Sequence, residues 1–116
     1  MGNKLMRLSD FLRKTESGYS HWCPACDERH NFYVDRPTNK GARWTFDGNV
    51  EMPTFTPSMN IRRGPRPIVP KGRTDAGQVD VCHYFLRNGE IQFLGDCTHA
   101  LAGKTVPLPK LPEDAK

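Results

Sequence analysis

Asn88-Gly89 sits between two β-rich runs, Val79 to Arg87 and Glu90 to His99. This dipeptide readily takes the positive φ angles of a two-residue type I′ turn, so residues 79–99 read as a β-hairpin. Centring the turn there sets Leu86 opposite Ile91, Tyr84 opposite Phe93, Cys82 opposite Gly95 and Asp80 opposite Cys97. One face then carries Cys82, Tyr84, Leu86, Ile91, Phe93 and Cys97, and the other His83, Phe85, Arg87, Glu90, Gln92, Leu94 and Asp96. A slip of one residue would put Glu90 and Gln92 beside Tyr84 and Leu86, so the even register is the one a half-buried ribbon requires. Within it Cys82 and Cys97 are diagonal neighbours, roughly 7 Å apart, from where both thiols can converge on one atom.

Cys23-Pro24-Ala25-Cys26 supplies a second pair of thiols. The motif lies between β-rich segments, as in zinc knuckles, where a tight turn aims two thiolates at one cation. A redox role is the competing reading, but such a motif usually opens a helix, and Asp27 to Asn31 lacks helical apolar periodicity. No apolar signal follows Met1 and no run of about 18 apolar residues occurs, so a reducing cytoplasm is expected, where thiols serve as ligands more than as disulfides. Cys23, Cys26, Cys82 and Cys97 therefore make the expected ligand set of a closed, structural Zn site. His99 is the first substitute ligand and His83 a weaker one. His30, four beyond Cys26, can be a ligand, a group supporting one or a strand-edge residue and reads best as the last, and His21 reads as an exposed strand position.

The remaining chain reads as mainly β, a small single-domain antiparallel sheet or barrel-like fold stapled by a zinc-ribbon-like site. Its 116 residues hold one modest core, and ten Gly and ten Pro predict many turns and short strands. Ser9 to Lys14 can open a short helix or form an N-terminal strand. Tyr19–Trp22 and Asn31–Val34 are strands able to pair across the knuckle, and Ala42–Phe46 is another. Trp44, Phe46 and Phe55 are expected to plug the core, although Pro53-Thr54-Phe55-Thr56-Pro57-Ser58 can also be a ligand-facing surface. Two prolines confine Glu51–Ile61 to an edge strand or extended loop. Thr98–Gly103 can make one helical turn, Thr105–Leu108 a last edge strand, and residues 109–116 a flexible tail.

Residues 62–73 contain five basic side chains, Arg62, Arg63, Arg66, Lys71 and Arg73, and no acid, which with Gly and Pro reads as an extended basic loop. With a net charge of +4 it can track phosphates or meet an acidic partner, but it lacks the interleaved aromatics of a single-strand binder.

Taken together, Trp22-Cys23-Pro24-Ala25-Cys26, Trp44-Thr45-Phe46-Asp47-Gly48, Pro53 to Ser58, Cys82-His83-Tyr84-Phe85 and Ile91 to Val106 resemble a family of small proteins of unknown function in tailed phages and prophages. Relatives of that family sit in bacterial ubiquitin-like conjugation operons. Its members are often labelled ammonia monooxygenase, a membrane activity for which this chain has no spanning segment. The resemblance implies phage origin, hence a host-cell cytoplasm, and metal binding, with no established activity.

Three functions are compatible with these residues. The leading expectation is a structural zinc protein that binds a host or phage protein partner through the exposed hairpin face and the basic loop. A zinc-dependent hydrolase is the first alternative, with His99 as a ligand and His83, Asp96 or Glu90 as base. The chain has no His-Glu-x-x-His and no deaminase signature to support it. A nucleic-acid-binding zinc ribbon using the basic loop is the second.

Overall fold

The computed structural model describes residues 6–64 and 79–112 of the chain. Nine strands occur among them: β1 (Met6–Arg7), β2 (Arg13–Lys14), β3 (Gly18–Cys23), β4 (Glu28–Tyr33), β5 (Thr45–Phe46), β6 (Phe55–Arg63), β7 (Asp80–Arg87), β8 (Glu90–Phe93) and β9 (Thr105–Pro107). They form two antiparallel sheets, ordered β1-β2-β3-β4 and β5-β6-β7-β8-β9. The chain is thus mainly β, as its sequence predicts. No helix among the described residues is long and apolar enough to cross a membrane.

The hairpin holds the expected register, with Leu86 opposite Ile91 and Tyr84 opposite Phe93. Asn88 and Gly89 both have positive φ, 50° and 76°, which is why this dipeptide and few others can close the turn. Pairing with β8 ends at Phe93. A turn closed by the Cys97 N–H on Leu94 O then carries Gly95 and Asp96 outward, and the Thr98 N–H bonds Val81 O. The register that set Asp80 opposite Cys97 is therefore shifted by two residues, with the faces unchanged.

β3 and β4 pair across the knuckle from Gly18↔Tyr33 to Cys23↔Glu28, and His21 lies opposite His30. Gly18 is obligatory at this approach, since a Cβ there would sit 1.9 Å from Phe32 O. Between the sheets, Phe32 stacks on Phe55 at 4.2 Å, Phe55 on Phe46 at 4.7 Å, and Phe32 meets Trp44 edge to face at 5.6 Å. Phe55 is buried and Trp44 and Phe46 pack partly buried against it, so these aromatics are core. Leu12, Tyr84, Leu86, Ile91 and Phe93 complete the layer.

Several sequence expectations are corrected. Of the two readings of Ser9 to Lys14, the strand holds over Arg13–Lys14 and the helix does not; Ser9 Oγ accepts the N–H groups of Phe11 and Leu12 in the bend between β1 and β2. Thr98–Gly103 is a pair of consecutive turns, not a helix. The strand predicted over Ala42–Phe46 shrinks to Thr45–Phe46 because the Trp44 N–H crosses to Tyr33 O in the other sheet. β6 is an interior strand only over Phe55 and Thr56, where β5 pairs with it, and an edge strand beyond them; its pairing with β7 is irregular between Phe55 and Met59, and Pro57 falls in that irregularity, where no ladder N–H is missed. Arg62 and Arg63 belong to β6, while Arg66, Lys71 and Arg73 lie outside the described residues. In the tail, Leu111 is buried and its N–H bonds Asp10 O at 2.7 Å.

His21 is fully buried rather than exposed. Its Nδ1–H donates to Trp22 O at 3.1 Å, leaving Nε2 to accept the Tyr84 hydroxyl at 2.7 Å. Burial, and then the neighbouring His30, hold its pKa down to about 3, so it stays neutral. Tyr84 Oη also lies 3.0 Å from His30 Nδ1. Tyr84→Phe strands the buried Nε2 of His21 and is expected to cost about 1–3 kcal/mol, read as a lower denaturant midpoint at unchanged m value.

Candidate functional site

Three consecutive residues of β7 point to different chemistries because strand side chains alternate. Cys82 and Tyr84 face the space between the sheets, and His83 faces outward. On that outer face His83 meets a serine and an aspartate. Ser58 Oγ donates to His83 Nε2 at 3.3 Å, and His83 Nδ1–H donates to Asp96, 3.1 Å from Oδ2 and 3.2 Å from Oδ1.

Each member is placed by a local device. The irregularity between Phe55 and Met59 on β6 brings Ser58 onto the His83 side. The turn at Gly95-Asp96 swings the carboxylate back over the imidazole. The His83 backbone is gripped on both sides, its N–H by Cys97 Sγ at 3.2 Å and its carbonyl by the Cys97 thiol at 3.2 Å and the Leu94 N–H at 2.9 Å. Trp44 Nε1–H donates to Ser58 O at 3.1 Å and fixes the serine backbone. Ser58 is half-buried, His83 has 23% of its side chain exposed and Asp96 52%, so the line of three reaches the protein surface.

A nucleophile bonded to a base whose other nitrogen is held by a carboxylate is the Ser-His-Asp constellation, recognised by geometry rather than by sequence order. Of its members, His83 and Asp96 were legible as candidate proton-transfer groups, as alternatives for a zinc-bound water. Ser58 was not. The available signal was that His83 and Asp96 share a hairpin face by parity, which makes any serine on the neighbouring strand's same face a candidate.

The inner face of β7 builds a second centre. Ligand atoms of Cys23, Cys26 and His30 lie within 4.8 Å of one another, and Cys82 Sγ is 3.9 Å from Cys23 Sγ. Zn–S bonds of about 2.3 Å in a tetrahedron set sulfurs about 3.8 Å apart, so this spacing fits one cation. The hydrogen bond from Cys82 draws the Cys23 thiol down to about 7. Burial and then the Cys23 charge push Cys26 up to about 11, and the Cys23 contact and burial raise Cys82. Crowded sulfurs that cannot all ionise unaided are what a divalent cation neutralises. These residues can therefore hold a metal.

Among the expected ligands, Cys23, Cys26 and Cys82 come together. Cys97 is buried with its thiol on the His83 backbone. His30, read as a strand-edge residue, is on the edge strand β4 but buried, and it joins the sulfurs. Its Nε2 lies 3.2 Å from Glu28 Oε2, a carboxylate contact that orients metal-binding imidazoles. His99 lines a 250 Å³ cleft with Cys26 and Cys82; its Nδ1 accepts the Leu101 N–H, and Nε2 is buried without a partner among the described residues. His83 faces away from the sulfurs. Arg63 pairs with Glu28.

The chain matches a family described as bacterial ubiquitination-like system serine protease (BubE) over residues 4–94. Neither curated proteins nor solved structures gave a match. The chain belongs to the BubE family.

Proposed function

We propose that this member of the BubE family is a serine protease acting through Ser58, His83 and Asp96, with a structural zinc ion behind the site. One observation carries the reading: Ser58, His83 and Asp96, drawn from three separate parts of the chain, form one unbroken hydrogen-bonded line. In the proposed reaction His83 Nε2 takes the Ser58 proton as Oγ bonds to the scissile carbonyl carbon. Asp96 holds Nδ1–H toward itself and stabilises the imidazolium. The proton then passes to the departing amine as the carbon–nitrogen bond breaks, leaving an acyl group on Ser58. Water, deprotonated by the same imidazole, then bonds to the acyl carbon, the carbon–Oγ bond breaks, and the imidazolium returns its proton to Ser58 Oγ. The 3.3 Å serine contact suits a substrate-free site, where such bonds are long.

The proposed zinc is held by Cys23, Cys26 and Cys82, with His30 in the fourth position and Cys97 as the competing thiol. As a closed shell it supplies folding energy and no reactive water. The protein partner expected from the sequence is, in this reading, the polypeptide substrate, a reading that the family description as a serine protease of a bacterial ubiquitination-like system supports.

Asp96→Asn tests the role of the carboxylate. An amide favours the wrong imidazole tautomer, so kcat is expected to fall about 10⁴-fold with KM nearly unchanged. Because Asp96 is 52% exposed, thermal stability should hardly move. Steady-state kinetics with a p-nitrophenyl ester checks both quantities, and an unaltered kcat contradicts the assignment.

A further inference from the structure

The line Asp96, His83, Ser58 crosses the second sheet strand by strand, from the loop after β8, through β7, to β6. Continued one step, it reaches the outer edge of β6. There β5 covers only Phe55 and Thr56, and among the described residues nothing pairs with the outer edge from Met59 to Arg63. Ser58 O already points to this side, since it accepts from Trp44, the residue that leads into β5. The two-residue repeat of a strand turns the N–H and C=O groups of Asn60 and Arg62 the same way.

We propose that this edge binds the polypeptide substrate as an added strand, laying its scissile carbonyl at Ser58. This rests on the serine protease reading above. An extended chain is the occupant that fits, because main-chain groups in a row offer bonds to any polypeptide, while side-chain direction sets the preference. Asn60 and Arg62 share the outer face with Ser58 by parity, and both are exposed. Asn60 lies directly across from His83. Arg62 has no acidic partner among the described residues, and it stands about 13 Å from Ser58 at 3.3 Å per residue. The substrate residue reaching it is therefore acidic.

The test uses the full chain and a fluorogenic peptide selected by cleavage from a proteome-derived peptide mixture. N-methylation of successive substrate amides is expected to lower kcat/KM at least tenfold at every second position on one side of the scissile bond, with the intervening positions nearly unaffected. Arg62→Glu is expected to lower kcat/KM tenfold for an acidic peptide and raise it for the lysine-substituted one, at unchanged rates of fluorophosphonate labelling of Ser58. Normal labelling without the period-two pattern overturns strand addition and leaves the protease reading standing. Absence of labelling at Ser58 overturns the protease reading itself.

Discussion

Ser58→Ala is expected to lower peptide hydrolysis by on the order of 10⁶-fold, the scale seen when a triad nucleophile is removed. Ser58 Oγ makes one hydrogen bond in the described structure, to His83, so its removal deletes the attacking atom and little else. Folding should be preserved: the Trp44 bond is to the Ser58 carbonyl, which alanine retains, and β6 stays anchored by Phe55 and Met59. The two readouts are a progress curve for ester or peptide cleavage and a thermal melt of the same sample. A variant that melts like the parent and cleaves nothing meets the expectation. One that retains turnover means that another group attacks.

The second large effect concerns the metal. Stripping the proposed zinc with a chelator, or replacing its buried anchor by Cys23→Ser, is expected to unfold the protein and abolish hydrolysis together. Structural zinc contributes roughly 10–16 kcal/mol in small domains, and a whole domain has only about 5–15 kcal/mol to lose. Removing the cation leaves buried sulfurs whose charges nothing balances. The link to activity runs through one strand, because Cys82 precedes His83 in β7 and the knuckle is the front end of β3 and β4. Elemental analysis should give one zinc per chain. A metal-free protein with an unshifted melting point would contradict the role given to the site.

Much of the scaffold could be read from the chain because it rests on short-range rules. The turn at Asn88-Gly89 fixed the register of β7 and β8, and parity alone separated Cys82 and Tyr84 from His83. The knuckle pairing of β3 with β4 followed from two β-rich runs around Cys23 and Cys26. What escaped depends on departures from regularity. Two prolines marked β6 as an edge, which it is beyond Thr56, but nothing local foretold the irregular pairing that absorbs Pro57 and places Ser58 against His83. The outward turn at Gly95-Asp96 shifted by two residues the register that had set Cys97 across from Asp80, and it carried Asp96 to the imidazole. His21 and His30 looked peripheral because Tyr84, the hydroxyl that satisfies both, is more than 50 residues distant in sequence. Local rules fail where a site is assembled from remote segments.

Treatment of the full-length chain with a biotinylated fluorophosphonate, followed by peptide mass mapping, tests the central claim most directly. The account predicts one adduct per chain, on Ser58, and none in His83→Ala. An unmodified Ser58, or an adduct on a different serine, would contradict it.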